Sequence, residues 1–293
     1  MPMKQIQGVI TAMATPFDEA GAVDTDAGRR LAAHLFEHGS HGLVIGGTTG
    51  ECPTLTDGET IDLFRAVRAE AGDDILLICG TGTNDTRHSR ELTKMAADAG
   101  ADASLVVVPY YNKPNPAGIR AHFEAVAAAV PDLPMVMYNI PSRVIVNADP
   151  QLLGELAQVD NIVAVKQAND DDLGPIEGLA VLAGNDNTYK RVLEFDGAGV
   201  ISVAAHVVGD QMRAMWDAAQ DNDLERAREI DAELTPVYEG LSVTTNPIPL
   251  KAALEMLGLA PDRLRLPLVS ADPAQRAAVR TALEGIGLSV AAG

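Results

Sequence analysis

A lysine, Lys166, ends the apolar run Asn161-Ile-Val-Ala-Val-Lys166. Runs of this kind, rich in Val and Ile, are typical of buried strands. Burial disfavours the charged form of a lysine and lowers its pKa, and a neutral amine is a nucleophile that forms Schiff bases with ketones and aldehydes. This segment alone also allows a structural lysine, with its stem packed on the strand and its head in water. The residues at the other strand ends must decide between these two interpretations.

Polar residues follow the other apolar runs at the point where each run ends. These strand-end segments are Thr15-Pro16, Gly46-Gly-Thr-Thr-Gly-Glu51, Gly80-Thr-Gly-Thr-Asn84, Pro109-Tyr-Tyr-Asn112, Tyr138-Asn-Ile-Pro-Ser-Arg143 and Gly184-Asn-Asp186. They contain hydroxyl groups, phenols and a guanidinium, which are groups that can move protons or bind carboxylates.

The elements that would position these residues alternate regularly along the chain. Strand-like runs begin at residues 9, 42, 75, 104, 135, 162, 181 and 200, and helix-like stretches cover 25–38, 57–71, 86–99 and 116–130. This alternation predicts an α/β fold, a (β/α)8 TIM barrel. A doubly wound sheet is the structural alternative, but a GxGxxG-type turn would be expected after its first strand, and none follows here.

After Val203 the sequence predicts helices only, over 212–220, 224–239, 249–257 and 273–286. We therefore expect a catalytic barrel over residues 1–225 and a C-terminal helical extension over residues 226–293. Because the carboxyl ends of barrel strands share one face, the strand-end residues are expected to meet around Lys166. That convergence favours a functional lysine over a structural one.

Composition limits the kinds of partner. The formal net charge of −19 argues against nucleic acid, whose phosphates need a basic surface. No apolar run approaches the ~20 residues that span a bilayer, and the segment Met1-Pro-Met-Lys-Gln lacks the apolar stretch of a signal peptide. The two cysteines show no metal-ligand spacing. We expect a cytoplasmic protein, in which an anionic substrate would need a locally positive pocket.

Four motifs, each at a strand end, carry a resemblance to a known family. They are Gly47-Thr-Thr-Gly-Glu51, Pro109-Tyr-Tyr-Asn112, Tyr138-Asn-Ile-Pro-Ser-Arg143 and the strand that ends in Lys166. Together they resemble the dihydrodipicolinate synthase family of pyruvate-dependent class I aldolases, to which the N-acetylneuraminate lyases are related. The resemblance runs in order from about residue 8 to residue 268 and includes Asn246-Pro-Ile-Pro-Leu-Lys251.

The resemblance implies a lyase that condenses pyruvate with L-aspartate-4-semialdehyde, in lysine and diaminopimelate biosynthesis. Lys166 would form the imine with pyruvate, with no cofactor and no metal. Tyr138 would be the general acid and base, and Thr48 and Tyr111 would complete a proton relay. In the family, the tyrosine equivalent to Tyr111 comes from the neighbouring subunit, so a homo-oligomer, a tetramer built from dimers, is expected.

Both substrates carry carboxylates, which need donors. The backbone N–H groups of Thr48 and Thr49 lie in a glycine-flanked turn that can bind the pyruvate carboxylate. Arg143 has the planar fork that binds a carboxylate through two hydrogen bonds, and it matches the family residue that binds the semialdehyde. Gly184 and Ile201 match positions that line the pyruvate pocket through their backbone.

The chain departs from the family pattern in two places. Gln167 follows the lysine where many members have Glu. Asp57, Thr60 and His88 stand where lysine-inhibited relatives often carry histidines and a glutamate, so we predict weak or absent feedback by lysine.

Two alternatives remain open at this point. A related aldolase for a sialic acid or a keto-deoxy sugar acid would need polar groups for a polyol, and such enzymes typically lack the paired tyrosines and the arginine. A non-catalytic barrel that binds a keto acid would be favoured if Lys166 or Tyr138 were missing. The histidines His34, His38 and His41 form no HExxH pattern, so no metal site is expected.

Overall fold

Eight parallel strands, each paired with the next along the chain, close into a barrel where the last pairs with the first. The structure is a computed structural model that describes residues 4–290. The strands are β1 (Gly8–Ala12), β2 (Gly42–Ile45), β3 (Leu76–Gly80), β4 (Ala103–Val107), β5 (Met135–Asn139), β6 (Ile162–Gln167), β7 (Ala180–Ala183) and β8 (Gly199–Ser202). The predicted (β/α)8 barrel is therefore confirmed.

The barrel strands are short and almost wholly buried, because the barrel interior covers one face and the helices cover the other. The helices that follow the strands are α1 (Thr25–Glu37), α2 (Asp57–Ala71), α3 (Thr86–Asp98), α4 (Pro116–Ala127), α5 (Pro141–Val144), α6 (Pro150–Leu156), α7 (Tyr189–Glu194) and α8 (Ala205–Gln220). The first four agree with the sequence prediction to within three residues at either end. The short helices α5, α6 and α7 were not predicted.

Local sequence signals explain where several helices begin. The α2 helix starts with a capping box, in which the Thr56 side chain accepts from the Glu59 N–H and the Glu59 side chain accepts from the Thr56 N–H. Asp24 and Asp149 cap α1 and α6 with a single type of contact, in which their carboxylates accept from the N–H groups of Ala27 and Leu152. These caps fix the loops that lead from the strand ends into the helices.

Three helices follow the barrel, namely α9 (Leu224–Gly240), α10 (Ile248–Met256) and α11 (Pro273–Gly285). The α9 helix packs against α8 and against α11. Residue 225, the expected end of the barrel, lies in the first turn of α9, and the division into a barrel and an extension stays a prediction. Residues 1–3 and 291–293 of those two predicted units lie outside the described residues. Within residues 4–290, no helix has the length and apolarity needed to cross a membrane.

Candidate active site

A cavity of about 700 Å³ opens at the carboxyl ends of the barrel strands and contains Lys166. Five further residues predicted from strand ends line the same cavity: Thr48, Thr49, Tyr138, Arg143 and Gly184. The fold thus brings together residues from β2, β5, β6 and β7 loops that are far apart in the sequence. This is the face on which barrel enzymes carry their active sites.

Lys166 is buried near the end of β6, where it pairs in register with Tyr138 of β5. Its amine nitrogen lies 4.5 Å from the centroid of the Tyr138 ring. Burial lowers the pKa of Lys166 to about 8. The charge of Asp186 opposes this decrease, and the charge of Arg143 adds to it. A useful fraction of the amine is therefore neutral, and nucleophilic, near neutral pH.

Tyr138 is buried beside this amine and stays a neutral phenol. Burial raises the pKa of Tyr138 to about 12, although the charge of Arg143 and a hydrogen bond with the Thr48 side chain both oppose the increase. A phenol with this pKa can pass a proton only through hydrogen-bonded neighbours. Thr48 lines the same cavity as Tyr138, and its hydroxyl can provide the first link of such a path.

The glycine-flanked turn over residues 47–51 carries Thr48 and Thr49 into the cavity. The N–H of Gly50 donates to Gly47 O at 3.1 Å, and the N–H of Glu51 donates to Thr48 O at 3.0 Å. Among residues 4–290, the N–H groups of Thr48 and Thr49 donate to no backbone carbonyl. Two donors in a tight turn are thus left for an anion.

Arg143 lies in the one-turn helix α5 at the rim of the cavity and is exposed. Its guanidinium donates to the backbone carbonyl of Asn246 at 3.2 Å. Among residues 4–290, Arg143 forms no ion pair with a carboxylate. Most of its donors therefore remain available to a carboxylate in the cavity.

Gly184 approaches the backbone at the end of β6 so closely that only glycine fits. Its N–H donates to Gln167 O at 2.7 Å, and a Cβ at this position would lie 2.6 Å from the Cβ of Ala168. Ile201 is fully buried in β8 and is not among the residues that line the cavity, whereas Val203 is. The structure thus brings Gly184, but not the Ile201 side chain, to the cavity.

Tyr111 does not reach the cavity of its own chain. Its side chain is 87% exposed, and its backbone has a φ of 70° in the left-handed region. Tyr110 is half-buried, and burial raises its pKa. In a single chain, the candidate relay therefore consists of Tyr138 and Thr48 only.

Asp186 lines the cavity, although no role was predicted for it from the sequence. The Ser202 hydroxyl donates to one carboxylate oxygen of Asp186 at 2.6 Å, and the N–H of Ala204 donates to the other at 2.9 Å. Burial raises its pKa, although these donors and the charge of Lys166 oppose the increase. Asp186 lies just after β7, within the strand-end segment 184–186, and this position is the sequence signal that could have identified it as a site residue.

The C-terminal helices also supply one wall of the cavity, which the sequence analysis did not anticipate. Asn246 precedes α10, and its side-chain amide donates to the Thr49 hydroxyl at 2.9 Å. Residues of α9 and its end complete this wall: Asp231, Thr235, Tyr238, Glu239 and Leu241. Among residues 4–290, no group of three or more His, Cys, Asp or Glu side chains is arranged to hold a metal ion.

The fold and the cavity together define a (β/α)8 barrel of the enzyme type, with a buried lysine in a cavity at the carboxyl ends of the strands. The model of the dihydrodipicolinate synthetase family matches residues 5–286. The chain belongs to that family.

Individual relatives agree over nearly the whole length. A 4-hydroxy-tetrahydrodipicolinate synthase of Cyanothece sp. is 45% identical over 287 residues, which are 96% of this chain and 98% of the relative. The crystal structure of the enzyme from Cyanidioschyzon merolae with lysine bound has a TM-score of 0.92 at 40% identity and covers 97% of this chain and 100% of its own. The chloride-inhibited enzyme from Acinetobacter baumannii, complexed with pyruvate, has a TM-score of 0.93 at 36% identity, with coverage of 97% and 100%.

Proposed function

We propose that Lys166 forms an imine with the ketone of pyruvate, and that the chain thereby condenses pyruvate with L-aspartate-4-semialdehyde to give 4-hydroxy-tetrahydrodipicolinate. The observation that carries this proposal is a buried lysine, with a pKa of about 8, beside a buried tyrosine in the main cavity. Relatives named for this reaction, at 45% identity over nearly the full chain, support the same substrates.

The steps of the reaction follow from imine chemistry. The amine attacks the ketone carbon of pyruvate and expels water, and the protonated imine withdraws electrons from the neighbouring methyl group. A methyl proton then leaves to give an enamine, whose carbon attacks the aldehyde of the second substrate. Finally, the amino group of that substrate displaces Lys166 and closes the ring. The covalent imine is the electron sink, so we propose that the reaction needs no cofactor.

Each of these steps moves a proton, which is the role we assign to Tyr138 and Thr48. Both residues line the cavity that contains the Lys166 amine, and the Tyr138 ring lies 4.5 Å from that amine, which supports this assignment. We assign the third relay position to Tyr111 of the partner subunit, since the exposed Tyr111 of each chain is free to cross an interface. The enzyme would then be at least a dimer, and we propose a tetramer built from two such dimers.

We assign the two carboxylates to two different groups of donors. The N–H groups of Thr48 and Thr49 would bind the pyruvate carboxylate, with the backbone of Gly184 and Ile201 on the opposite side of the pocket. Arg143, at the rim, would bind the carboxylate of the semialdehyde. Its exposed position suits the substrate that enters second. In a chain with a net charge of −19, an anionic substrate needs a local positive group of this kind.

Substitution of Arg143 tests which aldehyde the enzyme uses. Arg143→Lys keeps the charge but loses the two-pronged hydrogen bond, so the KM for L-aspartate-4-semialdehyde should rise about 10- to 100-fold while the KM for pyruvate stays unchanged. Arg213→Lys is the matched control, because Arg213 forms an exposed pair with Asp217 on α8. Product is followed by mass spectrometry, with N-acetylneuraminate cleavage measured in parallel. Efficient cleavage of that sugar acid without condensation of the semialdehyde would contradict the proposal.

A further inference from the structure

A second buried lysine, Lys251 of α10, forms an ion pair with Glu51 at the end of the catalytic turn, which we define as residues 47–51. The two side chains are at most 2% exposed, and 200 residues of sequence separate them. Lys251 also donates to Arg263 O at 2.6 Å, and the N–H of Arg265 donates to the second carboxylate oxygen of Glu51 at 3.0 Å. Both charged groups are thus fully enclosed and hydrogen-bonded.

Glu51 belongs to the same turn as the two threonines of the candidate active site. Its N–H donates to Thr48 O at 3.0 Å, which links its backbone directly to that of Thr48. Its φ of 57° lies in the left-handed region, which a residue with a Cβ rarely adopts unless its surroundings hold it there. The ion pair with Lys251 and the hydrogen bond from the Arg265 N–H are the side-chain contacts that hold Glu51 in this conformation.

Two further contacts fasten the same turn. The amide of Asn246 donates to the Thr49 hydroxyl at 2.9 Å, and the Thr15 hydroxyl donates to Gly50 O at 2.7 Å. The side chains of Thr49 and Glu51 are therefore both held by the segment that runs from Asn246 into α10. Thr48, between these two held residues and Gly47, lines the same cavity as Tyr138.

Stability alone does not account for an ion pair in this place. Two buried charges lose their hydration, and replacing such a pair with neutral side chains of similar volume is often neutral or stabilising. What a buried pair does provide is a fixed distance and direction between two segments. Here the two segments are the catalytic turn and α10.

We propose that the Glu51–Lys251 ion pair is a positioning device for catalysis: it holds the catalytic turn so that Thr48 keeps its place beside Tyr138 in the cavity. Glu51 and Lys251 touch neither substrate, and they act through Thr48. The inference rests on the proposed function, because it concerns the proton transfers that follow imine formation at Lys166. It also gives the C-terminal helices a part in the chemistry of the barrel.

The test uses the double variant Glu51→Gln with Lys251→Met, which leaves no unpaired buried charge and keeps an acceptor for the Arg265 N–H. The readout is the exchange of pyruvate methyl protons for deuterium, followed by NMR at saturating pyruvate without the aldehyde. Exchange requires the imine and the proton relay only. If Thr48 is displaced by about 1 Å, exchange should slow by about 100-fold, while borohydride still traps pyruvate on Lys166.

Asp102→Asn is the control for a loss of stability without an effect on the turn. Asp102 pairs with Lys4 and Arg68 before β4, at the opposite end of the barrel, so this variant should exchange pyruvate protons at the unaltered rate. Circular dichroism and thermal unfolding establish that each variant is folded.

Each outcome bears on the inference. A folded double variant that exchanges protons as fast as the unaltered enzyme overturns it. If the double variant does not fold, Glu51→Gln alone is measured, and unaltered exchange in that variant also overturns it. If the unaltered enzyme neither traps nor exchanges pyruvate, the proposed function fails and this inference fails with it. If the unaltered enzyme does both, an unaffected variant contradicts only the inference.

Discussion

The amine nitrogen of Lys166 lies 4.5 Å from the centre of the Tyr138 ring, on residues that face each other across β5 and β6. The pairing follows from the parallel register of two neighbouring strands, so it needs no flexible loop to maintain it. Burial acts on the two groups in opposite ways, lowering the pKa of the amine and raising that of the phenol. The amine becomes a nucleophile, and the phenol remains a proton donor.

The pH dependence of pyruvate activation should follow the neutral form of Lys166. Below pH 8 the value of kcat/KM for pyruvate methyl exchange should rise about tenfold per pH unit, and above pH 8 it should level off. Asp186→Asn removes a charge that raises the pKa of Lys166, so the midpoint should move to lower pH. A midpoint near the ordinary lysine value of 10.5, or an upward movement in the variant, would contradict the assignment.

Tyr138→Phe should separate imine formation from proton transfer. Turnover should fall about 100- to 10,000-fold, because the general acid and base is lost, whereas the imine should still be trapped on Lys166. Tyr189→Phe is the matched control: Tyr189 is buried on α7, and within residues 4–290 its hydroxyl has no hydrogen-bond partner. Turnover of Tyr138→Phe within a factor of about two of the control would show that the phenol is not the relay.

Complementation tests the role of Tyr111 of the partner subunit. Lys166→Ala and Tyr111→Phe chains should each have little activity alone. Co-expressed as mixed oligomers, they should recover activity, because a Tyr111→Phe chain keeps its own Lys166 and receives an intact tyrosine from its neighbour. A mixture of Lys166→Ala with Tyr138→Phe should recover none, since both of those residues serve the site of their own chain. Mixed oligomers of the first pair that stay inactive would contradict a role for Tyr111 across the subunit interface.

Feedback by lysine should be weak or absent in this enzyme. The His88 ring donates from Nε2 to the Asp57 carboxylate at 2.8 Å. These two side chains, which stand in place of the residues of lysine-inhibited relatives, are therefore occupied with each other. Turnover is compared with and without millimolar L-lysine, and D-lysine serves as the control for ionic effects. Clear inhibition by the L-isomer alone at physiological concentration would refute the prediction.

The barrel was predictable because each strand is buried on both faces and therefore has a short, continuous apolar run. Strand β6 and the helix α2, with its capping box, are examples in which local signals and the final structure agree. The helices α5 and α6 were missed because four and seven residues are too few to show a helical period. Their first residues, Pro141 and Pro150, were the remaining signal.

The candidate site was predictable only where it lies at strand ends. Tyr138 and Lys166 lie in the last residues of β5 and β6, Thr48 follows β2, and the barrel geometry brings them together. Asn246 and the α9 wall could not be placed in this way, because their position depends on how the C-terminal helices pack on the barrel. The Tyr111 side chain is exposed in the single chain, and its role in a neighbouring subunit stays a proposal.

The central claim is that Lys166 forms the imine, and one measurement tests it directly. The enzyme is incubated with pyruvate and borohydride, digested, and mapped by mass spectrometry. We predict a reduced pyruvyl adduct on the peptide that contains Lys166. We predict none on Lys251, which is also buried. An enzyme that condenses its substrates without an adduct on Lys166, or with the adduct on a different lysine, would contradict it.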